Sequence, residues 1–431
     1  MRERLDRPAL RDNIQGIFRY SNIHKMVCGY HITEIITERE IMKVAHFSRF
    51  VPNLSGQYGT VKDLIKAERQ QGIDAQLIAI DSSPGVEFTT ARINKDDWLV
   101  TKPMEWADEA DVLVRHVLVP QKHMYSGKQP KVMCLHGRPE NSFLLGLYTR
   151  NDVYQTVYSE RDTWDAFVSF WDEHIFHWSR LIDKSKLNYV PAMCDLEKFC
   201  PEGPKRDFGE HSGSPNIVVI DQWREDTTPF NVIHAALLFR EKYCPTAKVH
   251  IYGMMKKDPI NNLAKWLADK GGIGDRKSTI SKMTETYRAA DILVTPHVIA
   301  TRVIREAMAC GTPMVTGGDS PYSIYGCDPR NIESYAGEIN RCWDDIKAKK
   351  PHTEKECLVA KAKNLFNLEQ TGVAMKKVLQ SAIDNHRPES KEYAERMENS
   401  RAARRREMKA QQKKQRGMVQ QHFAGAGVKV K

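Results

Sequence analysis

Short apolar runs alternate along the chain with longer stretches of helical spacing. Ile41–Phe47, Ala75–Ile80, Ala110–Val117, Lys131–Pro139, Asp165–Phe170, Asn216–Asp221, Lys248–Gly253 and Ile292–Val294 are continuous enough in apolar character to read as strands. Between them, Val61–Gln70 and Asn231–Tyr243 carry helical periodicity, and Gly72 ends the first of these helices. Glu333–Lys349 and Glu354–Asp384 read as closing helices. Strands that alternate with helices through short turns predict an α/β protein with parallel sheets. The stretch 290–318 is the most informative. The strand Ile292–Val294 ends at Pro296, Thr301 is placed as an N-cap, and Arg302–Cys310 is rich in helix formers. Gly311 is a natural stop, and Met314–Thr316 begins the next strand. The N-terminus of that helix faces the carboxyl end of its sheet, where such folds bind phosphates. Glu306, one turn inside, is within reach of ribose hydroxyls beyond the phosphates.

At 431 residues the chain exceeds one ordinary core and suits two domains. Its 41% apolar and 28% charged residues are those of a globular protein. No apolar run approaches the ~20 residues that span a bilayer, and the N-terminus lacks the apolar core of a secretory signal. Nine cysteines are scattered singly, with no Cys-x-x-Cys. That pattern predicts reduced thiols in a cytoplasmic protein, the host cytoplasm if the source is viral, and neither a zinc site nor a disulfide framework. The net charge of +10 is concentrated at the end: from Arg387 to Lys431, 13 Lys and Arg face 5 Glu. Arg401, Arg404, Arg405, Arg406, Lys409, Lys413, Lys414 and Arg416 have almost no apolar stripe among them, so this tail has no face to add to a core. It reads as a solvated tail or as an arm for a polyanion, nucleic acid (DNA) ahead of an anionic membrane surface.

Glu306–Val315 resembles the donor-site motif of the GT-B glycosyltransferases, in particular the large retaining family 4 that includes glycogen synthases. The second half of the motif, Glu-Ala-Met-Ala-Cys-Gly-Thr-Pro, is present almost letter for letter. The first half departs from the pattern: Val298 stands where the family has a glutamate, and Ile299–Thr301 replaces Gly-Phe-Gly. The resemblance covers about residues 41–384. It implies two Rossmann-like domains facing a cleft, a C-terminal helix crossing back, and a nucleotide-diphosphate sugar (UDP- or GDP-sugar) as co-substrate, with no cofactor. The expected organisation is a preface over 1–39, an acceptor-side domain over 40–205 and a nucleotide-sugar domain over 213–365. A crossing helix over 366–385 and the basic tail over 386–431 follow.

The resemblance also implies site residues. His136 occupies the place of a histidine near the transferred sugar, and Glu306 that of the ribose ligand. Gly56 and Gly59 match the first-strand loop whose glycines lie against the diphosphate, and Gly253 ends a strand of the donor domain. The family's diphosphate-holding Arg and Lys fall here on Gln222 and Thr227. Arg224, Arg302 and Arg305, with the helix N-terminus at Thr301, are the expected replacements, although Arg224 reads equally well as an exposed loop arginine and Arg305 is also free to point to solvent. A diphosphate leaving group requires such compensating charge where no metal supplies it. The chain has no Asp-x-Asp, and the pair His174 and His177 is weak as a metal site, so no metal is expected. Similar viral enzymes glycosylate hydroxymethylated pyrimidines in DNA, which together with the basic tail points to that acceptor and to a bacteriophage-type DNA-modification role. A cell-envelope or polysaccharide transferase, and a non-catalytic nucleic-acid-binding protein on a degenerate GT-B scaffold, remain open beside it.

Overall fold

The computed structural model describes residues 41–49, 56–80, 107–116, 129–139, 161–221, 229–253, 271–277, 282–318 and 320–387, together with 262 and 265. The preface, Arg224 and the basic tail beyond Arg387 lie outside these residues.

Two six-stranded sheets, all parallel, organise the chain. The first contains β1 (Lys43–Arg49), β2 (Asp74–Ile80), β3 (Val112–His116), β4 (Lys131–Leu135), β5 (Ala166–Ser169) and β6 (Leu187–Tyr189), in the order β2-β1-β3-β4-β5-β6. The second contains β7 (Asn216–Ile220), β8 (Lys248–Tyr252), β9 (Ile273–Lys277), β10 (Ile292–Val294), β11 (Met314–Gly317) and β12 (Tyr325–Cys327), in the order β12-β11-β10-β7-β8-β9. Every residue of β3, β4, β5, β10 and β11 is buried. Strands covered on both faces have no solvent side to alternate toward, which is why they appear in the sequence as unbroken apolar runs. Strand order reverses between β1 and β3 in the first sheet and between β7 and β10 in the second. Crevices at the carboxyl ends of such strands are where doubly wound sheets bind ligands.

Among the described residues the α-helices are α1 (Gly56–Gln70), α2 (Asp172–Trp178), α3 (Pro229–Lys242), α4 (Met283–Ala289), α5 (Arg302–Ala309), α6 (Ile332–Lys347), α7 (Lys355–Leu365) and α8 (Leu368–Asn385). The closing-helix stretch Glu354–Asp384 divides into α7 and α8. The break falls at Phe366–Asn367, where the Asn367 side chain caps α8 by accepting from Glu369 N at 2.7 Å. α8 returns to the first sheet. It buries Leu368, Met375, Val378 and Leu379, each contributing about 1.5–3 kcal/mol. Gly372 lets it approach α1 closely, since a Cβ there would lie 2.3 Å from Ala67 O. Thr371 donates to Pro191 O at 3.0 Å, and His386 closes the helix against Asp165 at 3.0 Å.

The edge strands β9 and β12 and the short helix α4 have no clear sequence signal. β9 reads Ile-Gly-Asp-Arg-Lys and has no buried residue; β12 has only three residues. Neither supplies the apolar run by which a strand is recognised. All eight cysteines among the described residues are free thiols, four of them buried. No helix among these residues is long and apolar enough to cross a membrane.

Candidate functional site

The centre of the site is the first turn of α5. Ile304, Ala307 and Met308 anchor this helix in the buried cluster that runs from the first sheet to the second. Arg302, Arg305 and Glu306 occupy the i, i+3 and i+4 positions and therefore share one face. That face meets α1. Arg302 Nε donates to Glu306 Oε1, and Tyr287 of α4 donates its hydroxyl to Glu306 Oε2 at 3.0 Å. Burial, reinforced by the Glu306 charge, pushes the Tyr287 phenol well up, so it remains a donor. Thr301 takes the N-cap position, but its hydroxyl makes no capping bond and is buried without a partner.

The two glycines of the first-strand loop are placed differently from expectation. Gly56 and Gly59 belong to the first turns of α1, because the helix begins at Gly56 and not at Val61. The space above Gly59 is filled by the Arg302 guanidinium, which a Cβ at that position would meet at 0.6 Å. The absent side chain at Gly59 thus seats an arginine from the opposite half of the molecule. Phe199 lies 5.9 Å below the same guanidinium, in cation–π range.

Arg305 does not face solvent. It is 1% exposed, donates to Met193 O, and reaches Thr60 Oγ1 at 3.2 Å across 245 residues of sequence. Burying a guanidinium costs less when carboxylates stand nearby, and the charges of Asp63 and Glu306 act on Arg305 here. Lys66 binds Asp195 at 2.9 Å. Burial pushes the Asp63 carboxyl up to about 6, against the pull of Arg302 and Arg305. A carboxyl whose folded pKa exceeds its unfolded value of 3.8 favours folding most at low pH, and that contribution is lost as pH rises through about 6. The stability difference between wild type and Asp63→Asn should therefore shift by up to about 3 kcal/mol between pH 4 and 7, with the variant relatively more stable at the upper end. Denaturation midpoints across that range measure it, and a pH-independent difference would contradict it.

His136 follows β4 at the carboxyl end of the first sheet. Its ring lies 5.4 Å from Phe170, and burial with the Arg305 charge pushes its pKa down to about 3. His136 is also one end of a buried chain: its Nε2 meets His116 Nδ1 at 2.7 Å, His116 Nε2 meets His46 Nδ1 at 3.2 Å, and His46 Nε2 meets Glu68 Oε2 at 2.6 Å. In the second sheet Asp221, after β7, pairs with His297, after β10, at 3.0 Å. Gly253 ends β8 at φ +91°, packed against Asp221, where a Cβ would lie 2.8 Å from Asp221 O. Trp171 Nε1 donates to Ala300 O at 3.2 Å, linking the two halves at the α5 entry loop. Val298, in the place of the family's glutamate, is 40% exposed.

The structure thus brings Gly59, Arg302, Arg305 and Glu306 into one cluster, with His136 close enough to feel the Arg305 charge. Gly253 stands apart at the end of β8. Arg224, Gln222, Thr227 and the tail cations fall outside the described residues. Asp63, Tyr287, His46, Glu68, His116, Asp221 and His297 are not singled out by sequence reasoning. The available signal was the histidine interrupting each of the apolar strands β1 and β3. His174 is buried with both ring nitrogens unpartnered. Among the described residues no group of three or more His, Cys, Asp or Glu converges as a metal site.

No family model matches the chain, and no curated protein matches it in sequence. Its fold is nevertheless that of solved structures. A glycosyltransferase from Rickettsia africae and sucrose-phosphate synthase from Thermosynechococcus elongatus each superpose with a TM-score of 0.58 at 13% identity, over 80% of this chain and all of theirs. An alpha-glucosyltransferase in complex with UDP and a DNA containing an HMU base superposes with a TM-score of 0.56 at 13% identity, over 79% of this chain and 99% of its own. The architecture is the GT-B fold of nucleotide-sugar glycosyltransferases.

Proposed function

We propose that the protein is a retaining, metal-independent glycosyltransferase that moves a sugar from a UDP- or GDP-sugar to an acceptor hydroxyl, with 5-hydroxymethylpyrimidine in DNA as the acceptor. The observation that carries this reading is the cluster of Arg302 and Glu306 on α5 with Tyr287 of α4, set against Gly59 at the carboxyl end of a doubly wound sheet. Glu306 would bind the ribose hydroxyls. Arg302 and the amides at the α5 N-terminus would stabilise the departing diphosphate, which needs positive charge on the enzyme side. Arg224 would add to it. His136 would contact the transferred sugar. In this reading residues 40–205 hold the acceptor and 213–365 the donor, and the leaving phosphate helps to take the acceptor proton.

The DNA acceptor is supported by the basic tail and by the fold shared with an enzyme solved in complex with UDP and DNA. A base within a duplex must be flipped out to reach such a site. Incubation of hydroxymethylated DNA with a panel of nucleotide sugars, followed by mass analysis of the nucleosides, tests the acceptor directly. A glycosylated hydroxymethylpyrimidine is the expected product. Sugar transfer to water or saccharides with unmodified nucleosides would favour the envelope or polysaccharide reading.

Removal of Arg387–Lys431 should leave donor binding intact, since α8 ends at Asn385 and is already tied down through His386. DNA binding should weaken most at low salt, because each phosphate that the tail neutralises adds roughly one unit to the slope of log affinity against log salt. Unchanged affinity and slope in the truncated protein would exclude the tail as the DNA arm.

A further inference from the structure

Glu68, His46, His116 and His136 form an unbroken hydrogen-bonded line from α1 through β1 and β3 to the end of β4. The first three are fully buried. Each imidazole uses both nitrogens within the line, except His136, whose Nδ1 bonds no group among the described residues. A line of this kind has only two self-consistent polarities. In one, Glu68 is an acceptor, every ring carries its proton on Nε2, and His136 presents a bare Nδ1. In the other, the line holds one more proton, every inner bond points outward, and His136 presents Nδ1–H.

Burial decides between them. The first polarity leaves a net negative charge on a carboxylate with no exposure, and Glu68 Oε1 has no partner to offset it. An uncompensated buried carboxylate is costly. The extra proton removes that charge, resting between Glu68 Oε2 and His46 Nε2, which stand 2.6 Å apart. It does not rest further along, because burial holds the His116 pKa well down and that of His136 at about 3.

We propose that Glu68, His46 and His116 are positioning residues that lock His136 in the Nδ1–H form, so that it donates a hydrogen bond to an oxygen of the transferred sugar. The lock itself is independent of the transferase reading; the identity of its ligand rests on that reading. Glu68 acts at a distance, by setting the direction of every bond between itself and His136.

The test is ¹⁵N NMR of histidine-labelled full-length protein without ligand, joined to steady-state kinetics. In the wild type, His116 and His136 should both be neutral with the proton on Nδ1. Glu68→Gln removes the charge that selects the polarity, while its amide can either donate to or accept from His46 Nε2, and Glu68→Leu removes the end of the line; both should give mixed tautomers at His136, with kcat lowered by about 10-fold or more. His116→Phe cuts the line in the middle and should mix the His136 tautomers in the same way, which keeps the test open if Glu68→Leu does not fold. A wild-type His136 protonated on Nε2, or a His136 tautomer unmoved by breaking the line, would overturn the lock. The expected tautomers in a protein that transfers no sugar would leave the lock standing and refute its sugar ligand together with the transferase reading.

Discussion

Glu306→Gln is expected to retain the fold and lose about 10- to 150-fold in transfer, the equivalent of about 1.5–3 kcal/mol for a hydrogen bond to a charged group. The substitution is nearly isosteric, so Tyr287 keeps an oxygen to donate to at the position it now reaches at 3.0 Å. What is lost is the charge. A neutral amide is a weaker acceptor for ribose hydroxyls, and Arg302 loses its partner on α5. Kinetics and donor titration measure the effect. Wild-type turnover together with wild-type donor affinity would sink the ribose assignment.

The second large effect separates two arginines of the same helix. Arg302→Ala should lower kcat/KM for the donor by roughly 10²–10³, the loss typical of removing one group that stabilises developing negative charge. It should cost little stability, because Arg302 is 23% exposed in its side chain and sits over a glycine. Arg305→Ala should act chiefly on stability. It removes a buried guanidinium from Met193 O and Thr60 and takes away one of the charges that offset Asp63. A loss of about 3 kcal/mol or more is expected, the scale of breaking a buried charged interaction. Denaturant midpoints and donor kinetics on both variants give the split, and the reverse pattern would exchange their roles. Wild-type activity should persist in excess EDTA, since arginine and a helix N-terminus supply the positive charge. Activity lost in EDTA and restored by Mg²⁺ or Mn²⁺ would refute that charge assignment.

The boundaries of α5 were legible because they are local. Thr301 ahead of a helix-forming run, Gly311 at its end and apolar strands on both sides depend only on neighbours in sequence. The buried parallel strands were legible for the same reason, and the donor motif over Glu306–Val315 carried the fold. What the site does with its charges was not local. Arg305 looked free to point outward because its partners, Thr60 and Met193, come from the other half of the chain. Gly56 and Gly59 read as loop because glycine disfavours helix interiors, yet Gly59 is needed there as the seat for Arg302. His46 and His116 stand in the sequence only as polar residues within apolar strands. Only the parallel register β2-β1-β3-β4, with α1 packed over it, sets them in line with Glu68 and His136.

The most direct measurement of the central claim is release of nucleoside diphosphate from a panel of UDP- and GDP-sugars, with hydroxymethylated DNA present and EDTA in excess. Wild type and Glu306→Gln are compared at equal concentration. Release by the wild type from at least one donor, coupled to sugar on the DNA and strongly reduced in Glu306→Gln, is the predicted result. No release by the wild type from any donor, with DNA still bound, would contradict the account and leave a nucleic-acid-binding protein on a GT-B scaffold.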